Sequence, residues 1–157
     1  MFMKVFGLVI IAFILNSTTI WAENLKDKYT RLEEIEQHCI DTRCKIESLT
    51  NHNKKVLQQF DYFAEALITG YLEKENFKKE DIFQIIEALE FAARKHRFQV
   101  RKDRENTPYI IHPMGVAQQI LTTGQVADKD IIITALLHDT VEDTCTTFEE
   151  ITNKASD

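Results

Sequence analysis

Apolar positions from Leu32 onward step by three and four residues: Leu32, Ile35, Cys39, Ile46, Leu49, Val56, Phe60, Phe63 and Leu67, with Thr42 and Asn53 as polar entries in the same register. This is the period of one face of an α-helix. Nearly five heptads without Pro or Gly predict a long amphipathic helix that ends near Gly70. Thr42 and Asn53 weaken an apolar seam, although polar seam positions also set register in paired helices. Two readings stay open. Either the stripe packs on the domain that follows, as one helix or as two broken near Asp41, or residues 32–67 form an arm for a homodimer or a partner helix.

Beyond a charged connector from Tyr71 to Lys79, a second pattern begins at Glu80-Asp81. Asp81 suits a cap, and Ile82, Ile85, Ile86, Leu89, Ala92, Ala93 and His96 lie along one side. The helix ends in Arg94-Lys-His-Arg97, followed by a polar loop from Gln99 to Thr107. Pro113 opens another helix, which reaches about Thr123 with Val116, Ala117, Ile120 and Leu121 buried and Gly124 as its stop. Asp128 or Asp130 then caps a central helix from Ile131 to Thr144. Thr146 and Glu149 form a capping box for a last helix, whose apolar face begins at Ile151. The predicted class is all-α.

Composition agrees with that class. Of 157 residues 44% are hydrophobic, with only four Gly and two Pro, which favours helices over a turn-rich β fold. The length supports one domain plus an extension. A net charge of −6 gives little support to a general nucleic-acid-binding role. Lys4 precedes an apolar run from Val5 to Leu15, and Asn16 to Ala22 then lead to Glu23. That order matches a secretory signal cleaved after Ala22, and the run is shorter than the ~20 residues of a membrane span. Ile20 is bulkier than the usual small residue before such a cleavage site, so an uncleaved anchor is the alternative. The expectation is therefore export, to a bacterial periplasm or beyond. Membrane contact would come only through residues 1–22 if they are retained, with an anchored or cytoplasmic protein in that case. The expected division is 1–22 signal or anchor, 23–79 helical extension and 80–157 catalytic-type domain. Cys39 and Cys44 could pair in an oxidising compartment if the chain bends between them, but on a continuous helix they would diverge. They match no zinc spacing and read as partly buried thiols, with Cys145 left over.

The central helix carries the candidate chemistry. Glu142 follows His138 by four residues and Asp139 by three, and Asp143 follows Asp139 by four, so one imidazole and three carboxylates crowd one or two turns. No Lys or Arg is interleaved, and buried carboxylates need a partner. A divalent cation would supply it. Mixed nitrogen and oxygen donors favour manganese, iron or magnesium over a structural zinc. His112-Pro113, 26 residues before His138, would stand at a helix mouth, where His112 is free to point at a neighbour. The competing reading is an ordinary surface helix end. Seven basic residues, His96 included, fall between Arg94 and Arg104. They read either as a solvated helix end or, at Arg101-Lys102, as phosphate recognition.

The run Ala92-Ala-Arg-Lys-His96, then Arg101-Lys102, Thr107-Pro-Tyr-Ile-Ile-His112-Pro113 and Ala135-Leu-Leu-His-Asp-Thr-Val-Glu-Asp-Thr144 resembles the HD hydrolase domain of the RelA/SpoT family. It is most similar to the small single-domain (p)ppGpp hydrolases. The resemblance spans about Glu87 to Ile151 and implies a partial HD-type helical bundle. It further implies hydrolysis of a guanosine nucleotide, the 3′-pyrophosphate of (p)ppGpp, with Mn²⁺ or another divalent cation held by His112, His138 and Asp139. Glu142 and Asp143 would orient water and handle protons, and Arg101 and Lys102 would bind the nucleotide, with His96 a weaker candidate beside them. The resembled domain continues past the equivalent of Asp157 to a further Asp ligand, so the resemblance also implies a weakened metal site. The alternative expectation is a non-catalytic protein that binds metal or nucleotide, or acts through its N-terminal helix.

Overall fold

The computed structural model describes residues 20–74 and 77–155. Its helices are α1 (Ile20–Leu49), α2 (Lys54–Glu73), α3 (Lys79–Lys95), α4 (Ile111–Thr122), α5 (Lys129–Leu137), α6 (Thr140–Asp143) and α7 (Phe148–Ala155). Among the described residues the only β pairing is an isolated bridge between Val100 and Pro108, so the fold is all-α as expected. The chain divides into two compact units, residues 1–34 and 35–157. Within the first, the opening turns of α1 are tied by Thr30 Oγ1 donating to the Lys26 carbonyl at 3.1 Å and by an Arg31–Asp27 pair.

Within the second unit, Ile35, Cys39, Thr42 and Ile46 of α1 and Val56, Phe60, Phe63 and Leu67 of α2 are buried. Most of the predicted stripe is thus buried within this unit. The interruption falls at residues 50–53, not near Asp41. Asn51 and His52 take left-handed φ values of 51° and 57°, a region Asn tolerates better than most residues. Asn53 then caps α2, its side chain accepting the Lys55 and Val56 N–H groups at 3.1 and 3.3 Å. The residue read as a seam position is a helix start. Asp41 stays inside α1 and accepts a hydrogen bond from Gln37 at 2.9 Å.

Helix α2 runs through the expected stop at Gly70. A Cβ there would stand 3.2 Å from the ring of buried Phe77, so the glycine admits a side chain instead of ending a helix. Asp81 accepts the Lys78 N–H at 2.9 Å, and all seven positions predicted for one side of α3, Ile82 to His96, are buried. Buried Glu90 accepts from Thr42 Oγ1 and Lys45 Nζ, each at 2.7 Å, and so ties α3 to α1. Helix α4 packs on α2 and α5, and α5 packs on α3. Pro113, Met114 and Ala117 are the buried residues of α4, whereas Val116, Ile120 and Leu121 are only half-buried. Gly124 does end α4, but for a reason other than a left-handed cap. A Cβ would fall 2.7 Å from the Ile120 carbonyl oxygen, while Gln125 adopts the positive φ of 54°.

Asp128 is the cap of α5, accepting from Asp130 and Ile131 N–H. The capping box before α7 sits one residue later than expected: Thr147 N–H donates to Glu150 Oε2 and Glu150 N–H to Thr147 Oγ1. All three cysteines are free, Cys39 buried and Cys44 and Cys145 exposed.

Candidate metal centre

Two local structures bring the chemistry together. The first is the loop after α3, which folds back on itself. Arg101 N–H donates to the Thr107 carbonyl at 2.8 Å and Tyr109 N–H to the Gln99 carbonyl at 2.9 Å. Asp103 holds the bend, accepting from the Glu105 and Thr107 N–H groups at 3.2 and 3.0 Å. Those hydrogen bonds, the Thr107 backbone first, hold its carboxyl below the usual range. Asn106 supplies the left-handed residue, with φ of 49°. This closed loop delivers Tyr109 and then His112, in the first turn of α4.

The second is the end of α5. The continuous helix expected through Thr144 is interrupted at His138-Asp139, with α5 ending at Leu137 and α6 beginning at Thr140. His138 Nδ1 lies 2.8 Å from the Ala135 carbonyl oxygen, which in an unbroken helix would serve the Asp139 N–H. A carbonyl only accepts, so Nδ1 is the donor in this contact and Nε2 is the ring nitrogen turned toward Asp139. Such a carbonyl contact is the usual way a metal-ligating imidazole is oriented.

His138 Nε2 is 3.0 Å and His112 Nε2 3.6 Å from Asp139 Oδ2, and one donor atom from each of the three residues lies within 4.8 Å of the others. Ligands around a cation with bonds of about 2.1 Å are spaced on this scale. Two imidazole nitrogens and one carboxylate oxygen suit a borderline or hard divalent ion, with open positions for water. Burial first, then the positive charge of Arg101, lowers the His112 pKa below its ordinary value against the opposing pull of Asp139. A neutral, ligating imidazole is thereby favoured.

Tyr109, not singled out from the sequence, is central to the geometry. Its hydroxyl donates to Asp139 Oδ2 at 2.6 Å. That hydrogen bond, then burial and the charges of Asp139 and Asp143, raise the phenol's pKa above its usual value. Its ring stacks on His96 at 5.0 Å between centroids. His96 is not a surface contact for a nucleotide. It is 2% exposed, with Nδ1 on Gln99 Oε1 at 2.5 Å and Nε2 facing Thr140 Oγ1 at 3.5 Å. Its place on the apolar side of α3 was the available signal. Gln99 reaches onward, donating to Asp143 Oδ2 at 3.0 Å. Glu142 is exposed and makes no hydrogen bond or ion pair among the described residues. Arg101 lines a cleft beside His112, whereas exposed Lys102 lies outside that lining.

Residues 88–157 match the HD domain family. Over 71 residues the chain is 58% identical to the guanosine-3′,5′-bis(diphosphate) 3′-pyrophosphohydrolase MESH1 of Xenopus tropicalis, covering 45% of this chain and 40% of that protein. Over 68 residues it is 56% identical to MESH1 of Homo sapiens, covering 43% and 38%. It is 54% identical over 68 residues to the guanosine-3′,5′-bis(diphosphate) 3′-pyrophosphohydrolase of Aquifex aeolicus, covering 43% and 9%. The chain thus spans about 40% of the length of its MESH1 relatives. No solved structure matches.

The expected export is corrected by these relatives. They are named for hydrolysis of a guanosine bis(diphosphate), and export finds no support in them. No helix among the described residues is long and apolar enough to cross a membrane. The signal reading itself rested on residues 1–22, of which 1–19 lie outside the described residues. The match to the HD domain and the similarity to the MESH1 proteins thus fall on the same C-terminal stretch, the one that holds His112, His138 and Asp139.

Proposed function

We propose that the chain is a metal-dependent hydrolase that removes the 3′-diphosphate of guanosine-3′,5′-bis(diphosphate), with Mn²⁺ as its cation. The observation that carries this reading is the convergence of His112 with His138 and Asp139, donor atoms within 4.8 Å, in a segment 54–58% identical to enzymes named for that reaction. His112, His138 and Asp139 would hold the ion, which when bound lowers the pKa of a water and polarises a phosphoryl oxygen. The remaining work falls to the chain's own groups. Arg101 and Lys102 bind the diphosphate, one as a planar fork and the other as a point charge. Asp143, steadied by Gln99, takes a proton from the attacking water, and Glu142 orients that water. The bond between the 3′-oxygen and phosphorus breaks, the oxygen gains a proton, and pyrophosphate leaves.

The test is pyrophosphate release from guanosine-3′,5′-bis(diphosphate) by the full chain, titrated with Mn²⁺. Release should depend on the metal, vanish in Asp139→Asn, and fall by about a hundredfold or more in Asp143→Asn with unchanged helicity. Release no greater than that of Asp139→Asn at every Mn²⁺ concentration would overturn the proposal.

A further inference from the structure

Helix α2 precedes the segment that matches the HD family, yet one of its residues, Lys55, lines the cleft beside His112. That cleft has a volume of about 460 Å³, and its lining includes Lys55, Arg101, Asp103, Thr107, His112 and Gln119. Lys55 stands in the first turn of α2, in the turn capped by Asn53. Its ammonium meets Glu105 Oε2 at 2.6 Å, with the two side chains 55% and 63% exposed. Two cations from separate elements, Lys55 and Arg101, therefore face one cleft that ends at a candidate metal ligand. Asp103 also lines the cleft; its carboxylate is held by the Glu105 and Thr107 N–H groups and acts on Lys55 through its charge alone, without an ion-pair contact.

We propose that Lys55 is a second phosphate-binding cation of this cleft, and that Glu105 is its resting counter-ion, exchanged for a phosphate group when a nucleoside polyphosphate enters. This rests on the nucleotide reading above and adds a binding residue from outside the matched domain. The exchange is favourable on general grounds. An ion pair this exposed is largely screened by solvent, so little is lost on opening it. A phosphate offers more charge and several acceptor oxygens, and it is held by Arg101 as well.

The alternative is that the Lys55–Glu105 pair merely straps α2 to the loop, and the two roles differ in sign. The experiment is titration calorimetry of the full chain with guanosine-3′,5′-bis(diphosphate) in excess EDTA, which prevents turnover, at several KCl concentrations. Lys55→Gln should weaken binding roughly three- to tenfold and flatten its salt dependence, while Glu105→Gln should tighten binding by about twofold or more. Melting temperatures of both variants should stay at the parent value. Weakening by both variants would show a strap and overturn the proposal, as would parent-like affinity and salt dependence in Lys55→Gln. A parent chain that fails to bind would instead bring down the nucleotide reading, and this inference with it.

Discussion

Tyr109 shows how a single hydroxyl shapes the site. Asp139 Oδ2 is the common point of contact for Tyr109 at 2.6 Å, His138 at 3.0 Å and His112 at 3.6 Å. The phenol holds the carboxylate in one orientation, and the stacked, buried His96 holds the phenol. Outer partners of this kind typically account for about 10- to 100-fold in metal affinity. Tyr109→Phe keeps the ring stack and removes only the donor, so it should weaken Mn²⁺ binding by roughly tenfold without lowering the melting temperature. Paramagnetic resonance titration of free Mn²⁺ reads this directly, and unchanged affinity would show that the hydroxyl positions nothing. His138 and Asp139 stood out as candidate donors in the sequence because adjacent His and Asp on an apolar helix lack another partner. Tyr109 was not, because its role depends on which residue the loop brings across from Asp139.

At the scale of elements, periodicity located the helices and misplaced their joints. The break at residues 50–53 depends on two left-handed residues and the Asn53 cap, features a repeat of three and four does not report. The break at His138-Asp139 comes from an imidazole taking a backbone carbonyl, a local competition that an apolar run conceals. Glu90 offers a test of how elements are tied. Burial alone would raise its carboxyl pKa, but hydrogen bonds from Lys45 and Thr42 and the nearby charges of Lys45 and Arg94 outweigh that, and the pKa lies below its ordinary 4.5. A depressed carboxyl contributes stability that is fully present above its unfolded-state pKa and lost as pH falls through the folded-state value. Glu90→Gln should therefore destabilise the chain by about 1–2 kcal/mol at neutral pH. Lys45 remains largely solvated, which keeps the loss modest. Thermal melts of the two proteins should converge as pH drops below 4.5. A gap that persists in acid would mean that shape, not charge, is the source.

The molecule as a whole separates its thiols by burial. Cys39 lies in the core, and burial first, then the charge of Glu36, pushes its pKa up to about 12. Cys44 and Cys145 are exposed. A chromogenic disulfide reagent at neutral pH should label Cys44 and Cys145 quickly in the native chain and Cys39 only after guanidinium unfolding. Rapid labelling of all three would contradict the packing of α1. By itself the sequence determined the all-α class, the buried face of α3 and a cluster of possible metal donors on the central helix, because helix period and metal-donor chemistry are properties of residue type and spacing. Only the tertiary structure decided that α2 meets the cleft with Lys55, that His96 is an internal support and that Tyr109 reaches Asp139. The Lys55 and Tyr109 contacts join residues 30 or more apart, and all three follow from how helices pack and loops close, which no local pattern encodes.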